Sequence, residues 1–128
     1  MNIGLIGIGT VGGGTYQVLK ENAEEISNKS GIEIKITHVA DKNLKLAKET
    51  VDKETVIEED AFSLLENSSI DTIIELIGGT GIALDIVRKA LENGKHVVTA
   101  NKALIAMHGE ELFKIANKNT MTNNIFDF

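Results

Sequence analysis

The 128-residue sequence contains no proline, no cysteine and no tryptophan. Average usage puts proline near 5% of residues, so its absence argues against a proline-rich linker. Without cysteine there is no disulfide framework, no thiolate metal site and no thiol nucleophile. Aromatic residues make up only 4%, which leaves little for stacking on nucleic-acid bases. Thirteen basic against 19 acidic residues give a net charge of −6, so there is no electrostatic footprint for DNA or RNA. Long hydrophobic runs are also missing. The N-terminal Met1–Leu5 stretch lacks a basic segment, and its apolar run breaks at Gly7-Ile8-Gly9, so it reads as neither signal peptide nor membrane span. Three scattered histidines lack the spacing of a metal site. The expectation is a single cytoplasmic domain of ordinary size.

What is present is alternation. Ile3–Ile8 is a short apolar run bounded by glycine and reads as a buried strand. From Thr10 the apolar residues take helical spacing until Ser30-Gly31. Ile32, Ile34, Ile36 and Val39 suggest a second strand, after which Asn43 caps a short helix to Val51. Val56-Ile57 reads as a brief strand, and Asp60 caps a helix over Ala61–Asn67. A β-branched strand follows at Asp71–Ile77, then a helix at Gly81–Glu92 closed by Asn93-Gly94. His96–Thr99 reads as a strand, about His108–Lys118 as a helix, and Ile125–Phe128 as a candidate last strand. Such alternation predicts an α/β fold with a doubly wound, mostly parallel sheet.

Gly7-Ile8-Gly9-Thr10-Val11-Gly12 matches G-x-G-x-x-G directly between the first strand and the first helix. Gly7 permits a tight turn, Gly9 lets a pyrophosphate approach the backbone, and Gly12 lets the helix pack on the strand. The helix N-terminus then attracts the anion. Asp41 ends the second strand, where an acid accepts from the hydroxyls of an adenosine ribose and favours NAD. Lys42 beside it would neutralise a 2′-phosphate and favour NADP. The two indications conflict, and both cofactors stay open. Glu75 lies inside an apolar strand, where a buried carboxylate is costly unless paired. It either faces the crevice or accepts from loop amides. Asn101 is read as a helix cap.

Three further stretches are more specific: Ile74–Thr80, Ala90–Leu104 and His108–Leu112. With the glycine loop, they make the sequence closely resemble the NAD(P)-binding domain of homoserine dehydrogenase, over about residues 1–119, with a divergent tail at 120–128. The resemblance does not separate free-standing enzymes from those fused to aspartate kinase. It implies a Rossmann-type domain and reversible hydride transfer between aspartate semialdehyde and homoserine, on the route to threonine, methionine and isoleucine. It implies that Ile8, Thr10 and Val11 line the pyrophosphate, that Gly79 and Thr80 bind the cofactor with Thr80 near the nicotinamide half, and that Lys102 stands between nicotinamide and substrate. Independently, Gly78–Thr80 and Ala100–Lys102 each follow a strand and should rim a crevice. A lysine there can hold an anionic substrate or polarise a carbonyl.

Family members continue into a substrate domain whose motifs are missing from this sequence. The expectation is therefore a chain that binds dinucleotide and has little activity alone. Its oligomeric state is left open. A nucleotide-sensing regulatory module is the competing class, although it needs no Thr99–Lys102 loop.

Overall fold

A computed structural model of the protein describes residues 1–78, 81–119 and 125–127. The elements are β1 (Asn2–Ile6), α1 (Thr10–Ser30), β2 (Lys35–Ala40), α2 (Leu44–Thr50), β3 (Val56–Glu58), α3 (Ala61–Leu65), β4 (Thr72–Glu75), α4 (Gly81–Glu92), β5 (His96–Thr99), α5 (Lys102–Asn119) and β6 (Ile125–Asp127). The strands form one parallel sheet in the order β3-β2-β1-β4-β5-β6. That order reverses between β1 and β4, which opens a crevice beyond their carboxyl ends.

Each face of the sheet buries its own core. Ile6, Ile73 and Val97 pack with Leu64, Ile86, Leu91, Leu104 and Leu112 on one side. Ile3, Leu5, Val39 and Ile74 pack with Ile8, Tyr16 and Ala47 on the other. Adjacent strand residues such as Ile73 and Ile74 point to opposite faces, so both must be apolar. The winding of helices on both faces follows from that pattern.

Local chemistry sets the element ends. Gly31 closes α1 at φ 72°, its amide donating to the Ser27 carbonyl. Asn43 and Asp60 cap α2 and α3 through Leu46 N and Phe62 N. Asn101 Oδ1 accepts from Leu104 N at 3.0 Å, which caps α5.

Several sequence-based boundaries are corrected. β1 stops at Ile6, because Gly7 turns the chain at φ 98°. β2 starts at Lys35, not Ile32; Ile32 is exposed, and Ile34 adds packing without joining the ladder. α3 ends at Leu65. β4 is confined to Thr72–Glu75, since Leu76–Gly78 leaves the sheet. The largest difference concerns α5, which begins at Lys102 instead of near His108. Gly109 is buried within that helix. Glu111 pairs with Arg88 of α4 at 2.6 Å, so it joins two helices.

Candidate functional site

The glycine loop is built by steric necessity. A Cβ on Gly12 would lie 1.8 Å from the Gly7 carbonyl oxygen, so only glycine lets α1 start this close to β1. Gly7 itself has φ 98° and a backbone neighbour, the Leu76 carbonyl carbon, 3.1 Å from any added Cβ. Gly9 differs: an added Cβ would meet nothing within 4 Å. It is the N-cap of α1, with no side-chain cap and no acid in the first turn. The helix therefore begins beside open space at Gly9, with the positive end of a 21-residue helix behind it. Thr10 and Val11 are exposed on that turn. Ile8 is placed otherwise. Its side chain is buried in the core, and its amide donates to Asp41 Oδ2 at 2.7 Å.

Asp41 thus ties the end of β2 to the glycine loop. Its other oxygen accepts from Asn43 N at 2.8 Å. Each carboxylate oxygen has two lone pairs, so acceptor capacity remains for ribose hydroxyls. Asp41 and the exposed Lys42 border a cleft of about 640 Å³ with Glu59, Asp60, Phe62 and Ile77 among its other walls. The cleft joins acids and one ammonium to apolar surface, a composition suited to an adenosine.

A second cavity, of about 240 Å³, lies across the crevice and is lined by Val11, Glu75, Leu76, Gly78, Ala100, Asn101 and Lys102. Lys102 is the exposed first residue of α5. Glu75 is completely buried at the end of β4. Its Oε2 accepts from Ile77 N at 2.8 Å and Gly78 N at 3.3 Å, and its Oε1 from Thr99 Oγ1 at 2.7 Å. Both readings of Glu75 thus hold together: it binds loop amides and underlies the crevice. Gly79 and Thr80 lie outside the described residues. Among the described residues no cluster of His, Cys, Asp or Glu is arranged to hold a metal ion. No helix among them is long and apolar enough to cross a membrane.

Comparison with known proteins decides the family. Residues 7–124 match the family described as homoserine dehydrogenase, NAD binding domain. The chain belongs to the homoserine dehydrogenase NAD-binding domain family. A homoserine dehydrogenase of Methylobacillus glycogenes is 51% identical over 118 residues, which is 92% of this chain and 29% of that protein. The homoserine dehydrogenase of Neisseria gonorrhoeae is 48% identical over 92% of this chain and 27% of its own length. The crystal structure of a homoserine dehydrogenase from Thiobacillus denitrificans superposes with a TM-score of 0.88 at 40% identity, covering 99% of this chain and 28% of that one. The chain therefore spans under a third of the length of these homoserine dehydrogenases.

Sequence reasoning did not find the walls contributed by Glu59, Asp60 and Phe62. A signal existed: β3 lies beside β2 in this strand order, so residues after β3 reach the same crevice. It also missed Thr99 as the partner of Glu75, although the two are in register across β4 and β5.

Proposed function

We propose that this chain binds NAD or NADP and forms the cofactor half of a homoserine dehydrogenase, acting with a substrate domain in a cytoplasmic pathway to threonine, methionine and isoleucine. The observation that carries this reading is the uncapped N-terminus of α1, with Gly9 opening it and Gly12 fixing it against β1. The pyrophosphate lies on the amides of Thr10, Val11 and Gly12, within the loop that Gly7 turns and Ile8 anchors in the core. The adenosine lies in the cleft beside Asp41 and Lys42. The nicotinamide end reaches the cavity between Val11 and Lys102, and Gly79 and Thr80 take part in binding the cofactor, Thr80 near the nicotinamide. When bound, the dinucleotide supplies or accepts the hydride.

The chain's own residues bind and orient. Lys102 faces the reacting carbonyl and stabilises the oxygen that gains charge on hydride arrival. These residues form one wall of the crevice. Holding homoserine in near-attack geometry requires an opposing wall, so the 128 residues alone bind cofactor without appreciable turnover.

Calorimetric titration of the purified chain tests this. Saturable binding of NAD or NADP is expected, with Lys42→Ala weakening NADP and leaving NAD within about twofold. Removing one charge-assisted phosphate contact costs about 1.5–3 kcal/mol, roughly ten- to a hundredfold. Absence of saturable binding of either dinucleotide overturns the reading.

A further inference from the structure

Glu75 is a buried carboxylate that the proposed cofactor contacts do not use. Among the described residues it makes no ion pair, yet it accepts three hydrogen bonds. All three partners are donors. Two are amides of the Leu76–Gly78 segment, and the third is the Thr99 hydroxyl. Thr99 Oγ1 in turn accepts from Asn101 N at 3.0 Å. The carboxylate therefore links one rim of the small cavity directly, and the other, Ala100–Lys102, through one hydroxyl.

Stability alone does not explain such a group. Burying a carboxylate without a cation carries a desolvation cost, and an apolar pair at two facing strand positions would avoid it. The β4–β5 ladder holds Glu75 opposite Thr99 without help from their side chains. What the carboxylate adds lies past the strand ends, where Leu76–Gly78 and Asn101 have left the sheet. Gly78 takes φ 74°, a conformation that its hydrogen bond to Glu75 helps to fix.

We propose that Glu75 is a positioning residue that, through Thr99, sets the spacing of the two rims between which the nicotinamide end of the dinucleotide is held. The inference rests on the dinucleotide reading above. It predicts that damage at Glu75 is confined to one half of the ligand. ADP-ribose carries the adenosine and pyrophosphate without the nicotinamide, so it reports the other half.

The test compares the dinucleotide with ADP-ribose in Glu75→Ala, Glu75→Gln, Thr99→Val and the Glu75→Ala/Thr99→Val double variant. The expected result is a dinucleotide affinity about tenfold lower in Glu75→Ala, the scale of losing one hydrogen bond to a charged group. ADP-ribose should stay within about twofold. Glu75→Gln, which keeps one carbonyl oxygen for the two amides, should recover most of the loss. The double variant should be no worse than Glu75→Ala, because the two side chains act as one unit. Hydrogen exchange gives a ligand-free readout: Glu75→Ala should speed exchange at residues 77–78 and 101–102 while leaving Gly12 and Gly13 unchanged. Equal loss of both ligands, no loss of either, or unaltered exchange at the rims overturns the proposal. If the wild-type chain binds neither ligand, the dinucleotide reading falls, and the exchange result alone decides whether Glu75 ties the rims.

Discussion

A methyl group added to Gly9 and one added to Gly12 meet opposite fates on the same helical turn. At Gly12 it would sit 1.8 Å from the Gly7 carbonyl oxygen. Backbone cannot swing aside as a side-chain tip can, so α1 must shift from β1. Gly12→Ala is expected to cost about 3 kcal/mol, at the upper end for overpacking, seen as a lower urea midpoint. At Gly9 the same methyl meets nothing within 4 Å, and the backbone φ of −63° suits any residue. Gly9→Ala should leave stability within about 0.5 kcal/mol and weaken dinucleotide binding about tenfold or more, roughly 1.4 kcal/mol. A Gly9→Ala chain that binds normally removes the loop from the site. The glycine motif was legible because its constraints are steric and lie within six residues of chain. The bond from Ile8 N to Asp41 was not, since it joins groups 33 residues apart and depends on β1 and β2 pairing.

Helices and strands were legible where a cap or a positive-φ glycine marks the end. Gly31, Asn43, Asp60 and Gly94 all mark ends that the sequence indicated. α5 was misplaced because His108 with the acids Glu110 and Glu111 reads along the chain as a helix start, with Gly109 in its first turn. In the fold it lies within a helix, 3.4 Å from Ile105 Cγ2 by its would-be Cβ. Tertiary packing overrides propensity there. The three consecutive glycines of α1 show the remaining cost of the loop. Gly12 is required by contact. Gly13 would place a Cβ 3.6 Å from Thr50 Cγ2, an ordinary distance, and Gly14 has open space. Nothing in the packing requires glycine at position 14. Gly14→Ala is therefore expected to stabilise the chain by about 0.5–1 kcal/mol by lowering unfolded-state entropy. Urea denaturation checks this, and a lower midpoint would show a constraint that the contacts do not reveal.

The whole chain carries net charge −6, yet one of its cations is withdrawn from water at the end of the sheet opposite the crevice. Lys95 is 5% exposed, and its Nζ donates to the Asn67 and Ile70 carbonyls, both at 2.7 Å. Those bonds tie the turn after α3 to the start of β5. Burial disfavours the ammonium and lowers its pKa from 10.5, with the Asp71 charge opposing. The sign of the consequence follows from proton counting. Below the lowered folded pKa both states hold the proton, and Lys95 adds no slope. Between that pKa and 10.5 the unfolded chain binds more protons, so the Lys95 contribution to stability rises with pH. The neutral amine still donates to both carbonyls. Lys95→Met should cost about 1–3 kcal/mol at neutral pH by leaving those carbonyls short of a donor. Its deficit against the wild type should then widen as pH climbs toward 10.5, because only the wild type gains from proton release. Paired urea titrations at neutral and alkaline pH measure that difference. A deficit that narrows with rising pH would mean that the ammonium is favoured, not penalised, in the folded chain.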